Sequence, residues 1–126
     1  MTFEATYLGS NGWLIKFKKT NLIIDPWLKG DLIFPPGEWF FKGSLEEEIL
    51  IDKAIDIILL TQGLPDHCHV PTLEMFRKDI PIICPKSAVE TLEKIGFSTI
   101  KMLKPTEKTN QCNLSFEATA GAPVPQ

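Results

Sequence analysis

The feature that most constrains this chain is a short apolar run in its middle. Residues 55–60 read Ile-Asp-Ile-Ile-Leu-Leu, and Thr61 follows. Only Asp56 interrupts the run, which is brief and bounded by polar residues. A strand buried on both faces has this pattern, and such a strand belongs inside a sheet with a layer on either side. At 126 residues the chain can bury about two-thirds of its unfolded surface. Residues 1–126 are therefore expected to form a single domain.

The sequence before the run reads as an antiparallel meander. Phe3 to Leu8 alternates apolar Phe3, Ala5 and Tyr7 with Glu4 and Thr6, as a half-buried strand does. Gly9-Ser10-Asn11-Gly12 is a turn. Trp13 to Phe17 places Trp13, Ile15 and Phe17 on one face, and residues 18–21 turn again. Leu22 to Asp25 is a third strand, stopped by Pro26. From Pro26 to Gly43 prolines and glycines alternate with Trp27, Phe34, Trp39, Phe40 and Phe41. Aromatic area on this scale is seldom left in water, so this loop is expected to cover its own core or a pocket.

Ser44-Leu45-Glu46-Glu47 has the form of a capping box and predicts a short helix fading near Lys53. Beyond the central run, Pro71 suits the first turn of a helix with Leu73 and Phe76 on one face. Pro81 to Cys84 reads as a short strand. Ser87-Ala88-Val89-Glu90 is a second capping box, opening a helix with Ala88, Leu92 and Ile95 on one stripe and Gly96 at its end. Thr99 to Leu103 and Asn113 to Ala118 complete the series as strands. The fold class is α/β (α+β): an antiparallel β meander, then strand–helix–strand–helix–strand.

Composition removes several functions. Hydrophobic residues are 44% of the chain and charged residues 23%, which fits a globular domain and excludes disorder for the bulk of it. Net charge is −3, with Lys and Arg scattered, so no nucleic acid is expected as partner. The apolar stretches are far short of about 18 residues, so no membrane span is expected. The first residues show no basic-then-apolar secretory pattern. Cys68, Cys84 and Cys112 are odd in number and widely spaced, which suits free thiols in a reducing compartment.

One segment concentrates chemistry. The two histidines, His67 and His69, lie in Thr61-Gln62-Gly63-Leu64-Pro65-Asp66-His67-Cys68-His69, directly after the central strand. Loops at the carboxyl ends of central strands are where α/β proteins place sites. Asp, His and a Cys thiolate are ligands for zinc or iron. The alternative is that Asp66 caps the helix near Pro71 and the histidines are ordinary loop residues.

Leu22-Ile23-Ile24-Asp25-Pro26, followed by Ile57-Ile58-Leu59-Leu60-Thr61 and then Asp66-His67, resembles the metallo-β-lactamase fold. The Gly9–Ile15 hairpin is similar to the branch that includes ascorbate-phosphate lactonases, and residues 118–122 resemble a later strand-end motif. The resemblance implies the N-terminal half of an αββα sandwich, so that residues 1–126 are a partial or shortened domain. In the family a His-x-His-x-Asp-His loop, a histidine at a later strand end and another much further on hold two zinc ions. Here Asp66 and His67 match, whereas Gln62, Leu64 and Ala122 stand at three imidazole positions. Relatives with Gln-Gly-Leu-x-Asp-His-x-His form a subgroup associated with oxygenic phototrophs.

The resemblance implies a hydrolase-like protein with a degenerate metal site. Asp66 would be the catalytic residue, and Asp66, His67 and His69 the metal ligands, with Asp25 and Gln62 standing behind them. No dinuclear zinc centre is expected, and the cofactor is at most one divalent metal (zinc, iron or manganese) or none. An active protein would hydrolyse an ester, lactone or phosphoester; the alternative is a non-catalytic binding or scaffold protein. The expected partners are a second copy of the chain, as a homodimer, and a small-molecule ligand. The expected location is the cytoplasm, or the plastid stroma in a plastid-bearing source.

Overall fold

The meander forms as the alternation requires. In the computed structural model, which describes residues 3–34, 37, 42–45, 47–51 and 53–121, β1 (Phe3–Gly9) pairs antiparallel with β2 (Gly12–Phe17), and β2 with β3 (Thr20–Ile24). The chain then leaves the sheet for a small hairpin of β4 (Asp31–Ile33) and β5 (Lys42–Ser44). It returns as β6 (Ile57–Leu59), which lies parallel to β3. After α1 (Val70–Leu73) comes β7 (Ile82–Cys84), and after α2 (Lys86–Ile95) comes β8 (Ile100–Met102), each parallel to the strand before it. Parallel neighbours need crossovers, and the segments carrying α1 and α2 supply those that lead to β7 and β8. The main sheet runs β1-β2-β3-β6-β7-β8, and a separate hairpin of β9 (Lys108–Gln111) and β10 (Leu114–Glu117) follows it.

β6 is the middle of this arrangement. Ile58 packs into the cluster under the helices with Leu73, Ala88 and Leu92, while Ile57 points the other way, toward Leu22, Ile83 and Leu103. Both isoleucines are fully buried. The unbroken apolar run thus reflects burial on two faces, and the α/β mixed sheet has the expected meander and parallel strands.

Several local expectations need correction. Ser44 does not cap a helix: it ends β5, and its hydroxyl donates to Asp31 Oδ1 across the hairpin at 2.9 Å. None of the described residues between Leu45 and Asp56 is helical. The second capping box also falls differently, because α2 begins at Lys86 with Pro85 as N-cap, so Ser87 lies inside the first turn. Gly96 does end that helix, at φ 109°, a left-handed conformation that glycine adopts at no steric cost. β4 and most of β5 fall within residues 26–43; Trp39, Phe40 and Phe41 lie outside the described residues. Strand β9 was not anticipated.

Candidate functional site

Two parallel strands end side by side and bring the site together. Ile24 of β3 lies in register with Leu59 of β6, so Asp25 and Thr61 emerge at the same sheet edge. The Asp25 N–H donates to the Leu59 carbonyl at 3.0 Å. Asp25 stands at φ 43°, a left-handed conformation in which Asp and Asn are over-represented among non-glycine residues. Its carboxylate is almost wholly buried. It accepts from the Thr61 N–H at 2.8 Å and from the Thr61 hydroxyl at 2.5 Å.

A third donor reaches the same carboxylate. His67 Nδ1 lies 2.7 Å from Asp25 Oδ2 and 3.0 Å from Thr61 Oγ1. An ionised carboxylate only accepts, so the geometry assigns the proton to Nδ1. In the neutral ring Nε2 then carries a lone pair. That nitrogen is 3.5 Å from Asp66 Oδ2 and 3.5 Å from Asn11 Nδ2. The Asn11 amide donates to Asp66 Oδ2 at 3.1 Å and to the Asp66 carbonyl at 3.3 Å. Asp66 Oδ1 is buried and has no hydrogen-bond partner among the described residues. His67 is thus fixed on one side by β3 and β6, and closed on the other by the β1–β2 turn.

The loop that carries His67 is tightly folded. The His67 and Cys68 N–H groups both donate to the Leu64 carbonyl, at 2.9 and 2.8 Å. Gly63 presses against the start of α2, where a β-carbon would meet the Ser87 carbonyl oxygen at 2.5 Å. Any other residue would push the loop away.

The second histidine is turned elsewhere. His69 is the N-cap of α1, so Asp66 is not the cap of that helix. Its side chain is buried. His69 Nε2 is 2.8 Å from the Asp31 carbonyl, which only accepts, so Nε2–H is the donor. Nδ1 then accepts from the Thr72 hydroxyl at 2.8 Å, and Thr72 Oγ1 accepts from the Leu28 N–H at 2.9 Å. Burial holds the imidazole below its ordinary pKa of 6.5, against the opposite pull of the Asp31 carbonyl. Both ring nitrogens are occupied within this network, and His69 is not brought to Asp66 and His67. Cys68 is also buried, and burial, reinforced by the Asp25 charge, pushes its thiol up to about 11. Its side chain belongs to the core under the helices.

Gln62 and Leu64 line a neighbouring cleft of about 930 Å³. Its apolar wall includes Leu59, Ile83, Leu103 and Phe116, with Ser87, Glu117 and Thr119 as polar members. The cleft sits at the carboxyl ends of β6 and β7, where α/β sheets bind ligands.

The donor set can be tested against a metal centre, which needs three or four convergent ligands. His67 Nε2 and the Asp66 carboxylate are two. Among the described residues, no group of three or more His, Cys, Asp or Glu is placed to hold a metal ion. Ala122 lies outside the described residues. The residues described here do not by themselves fit a paired-zinc centre.

Comparison with known proteins fixes the family. The Beta-lactamase superfamily domain matches residues 4–124. The chain belongs to the metallo-β-lactamase superfamily. A UPF0173 metal-dependent hydrolase from Paracoccus denitrificans (strain Pd 1222) is 29% identical over 102 residues, covering 75% of this chain and 40% of the relative. The structure of a possible metal-dependent hydrolase from Veillonella parvula DSM 2008 matches 91% of this chain with a TM-score of 0.68 at 18% identity, over 46% of its own length. Isothiocyanate hydrolase from Delia radicum gut bacteria matches 86% of this chain with a TM-score of 0.60 at 17% identity, over 44% of its length. At such identities these structures speak for the superfamily fold. The chain spans less than half the length of these relatives.

Asn11, Thr61 and Thr72 were not singled out from sequence. Thr61 had a usable signal, as the first polar residue after the buried strand. Asn11 reads in sequence as an ordinary turn residue, and Thr72 as part of the helix behind Pro71.

Proposed function

We propose that this chain is a hydrolase-like member of the superfamily with a degenerate metal site, in the branch similar to ascorbate-phosphate lactonases. The carrying observation is the contrast within one loop. Asp66 and His67 keep the family's positions and lie together beside Asp25, while Gln62 and Leu64 line the cleft and His69 is engaged with Asp31 and Thr72. The chain's own residues offer an oriented imidazole and one carboxylate, a site for at most one divalent ion. Asp25 orients the ring, and Asp66 is the carboxylate nearest its free nitrogen. Any remaining hydrolysis would act on an ester, lactone or phosphoester.

A second reading, a non-catalytic binding protein, is favoured by the cleft. A pocket of this size with mostly apolar walls and a few polar groups suits a small organic ligand. A location in a reducing compartment, cytoplasm or plastid stroma, belongs to the same proposal and is supported by three free cysteines. Among the described residues, no helix is long and apolar enough to cross a membrane.

The test is a panel of esters, lactones and phosphoesters, assayed with and without added zinc, manganese or iron. The expected result is no metal-dependent turnover above that of the His67→Ala chain. Robust zinc-dependent hydrolysis that survives His67→Ala would overturn the reading.

A further inference from the structure

Three acceptor atoms converge on the side-chain amide of Asn11. Its Nδ2 lies 3.1 Å from Asp66 Oδ2, 3.3 Å from the Asp66 carbonyl oxygen and 3.5 Å from His67 Nε2. A carboxylate and a carbonyl only accept. His67 Nε2 accepts as well, because Asp25 holds the proton of the neutral ring at Nδ1. The Asn11 atom that faces them is therefore the amide nitrogen and not the oxygen. One hydrogen of the amide serves Asp66 and the other points to His67.

His67 Nε2 and Asp66 Oδ2 are also the atoms that would hold an ion. They stand 3.5 Å apart. Two ligands about 2.0–2.1 Å from one zinc, at a tetrahedral angle, are separated by about 3.3–3.4 Å. The pair is thus spaced for a shared cation, and the positive end of the Asn11 amide dipole lies against both members. The amide replaces a cation only in part: Asp66 Oδ1 is buried and has no hydrogen-bond partner among the described residues.

The β1–β2 turn holds Asn11 in this place. Ser10 stands at φ 49°, and its carbonyl accepts from the Tyr7 hydroxyl at 2.8 Å. Gly12 lets the turn press on the end of β3, where a β-carbon would stand 3.4 Å from the Asp25 carbonyl oxygen and 3.2 Å from that of Gly9. Asn11 itself is outside the left-handed region, so alanine, serine or aspartate fits its backbone.

We propose that Asn11 competes with a divalent cation for His67 and Asp66, and so sets the metal affinity of this site. The proposal rests on the reading of Asp66 and His67 as the remaining ligand pair. An ion that binds them must displace the amide nitrogen from a part-buried hydrogen bond to a charged group, which is costly to break. A ligand supplied by any further residue would serve parent and variants alike, so the contrast between them reports on Asn11.

Calorimetric titration of zinc, and separately of manganese, into chelator-stripped protein tests this. Asn11→Ala is expected to bind one ion about tenfold or more tightly than the parent chain, the worth of one hydrogen bond to a charged group. Asn11→Asp keeps the shape of the side chain and offers a third ligand, the minimum for a zinc centre, so its affinity should exceed that of Asn11→Ala. Both gains should vanish when His67→Ala is added. Far-ultraviolet circular dichroism checks the fold of each variant. Should Asn11→Ala not fold, Asn11→Ser takes its place, since serine is at home in turns and its side chain is one bond shorter. Binding by Asn11→Ala that is no tighter than the parent's, and is lost with His67→Ala, overturns the proposal and leaves the ligand pair standing. Binding that persists unchanged in His67→Ala, or no binding by any of these chains, overturns the ligand pair and the proposal with it.

Discussion

His67 and His69 are two residues apart, and the regions they anchor differ in nearly every physical respect. His67 sits at the sheet edge among side chains from three loops, partly reachable by water, with one ring nitrogen tied to Asp25 and the other left with a lone pair. His69 is enclosed between α1 and the β4–β5 hairpin, both nitrogens bonded, with the Trp27 ring edge-on at 6.2 Å. Proximity in sequence and suitability as a ligand do not make two histidines one site. The α1 N-cap, at φ −86° and ψ 106°, turns His69 into the interior, where its task is to hold a loop and a hairpin to the helix.

The largest test of this contrast is Asp25→Ala. It strips a buried charge from three donors and leaves an alanine in a left-handed conformation. Leaving buried donors without their acceptor costs about 1–3 kcal/mol each, so chemical denaturation should show a loss of about 3 kcal/mol or more. A loss below about 1 kcal/mol, the level of an ordinary hydrogen bond, would mean that the Asp25–Thr61–His67 network does not organise this edge.

His69→Ala comes next. It opens a cavity and strands the Asp31 carbonyl and the Thr72 hydroxyl, at an expected cost on the order of 2–4 kcal/mol. His67→Ala should cost less, about 1–2 kcal/mol, because Asp25 keeps both Thr61 donors and the ring is partly solvated. If the order of these two variants reverses, the comparison fails, and His67 is the structural histidine of the pair.

The smallest effect is on pH dependence. The folded state holds His69 below its ordinary pKa of 6.5, so the unfolded chain binds the proton more readily. Stability should therefore fall as pH drops below about 6.5, where the unfolded histidine titrates. His69→Gln should flatten that part of the profile. A profile unchanged by His69→Gln would show that His69 is not the group responsible.

The sequence carried the main sheet because its signals there are about burial. The run at 55–60 is apolar because β6 packs on both faces, and Gly96 ends α2 for a local backbone reason. The misses have one origin, tertiary partners that override local signals. Ser44 has the chemistry of an N-cap, but Asp31 across the hairpin takes its hydroxyl. β9, Lys-Thr-Asn-Gln, is too polar to read as a strand, and the pairing that makes it one comes from β10, whose Phe116 covers the core. At the site, the loop was legible as a cluster of ligand-type residues at a strand end. Which of them converge was not, since the left-handed turn at Asp25, the reach of Asn11 across 55 residues to Asp66 and the inward turn of His69 all depend on packing.

This chain keeps the superfamily fold, and its degenerate metal site, as proposed above, would hold at most one ion. Metal content, measured by mass spectrometry on protein purified without added zinc, addresses it directly. At most one metal ion per chain is expected, and none in His67→Ala. Two metal ions per chain, about 3.5–4 Å apart as in two-metal hydrolases, would contradict it.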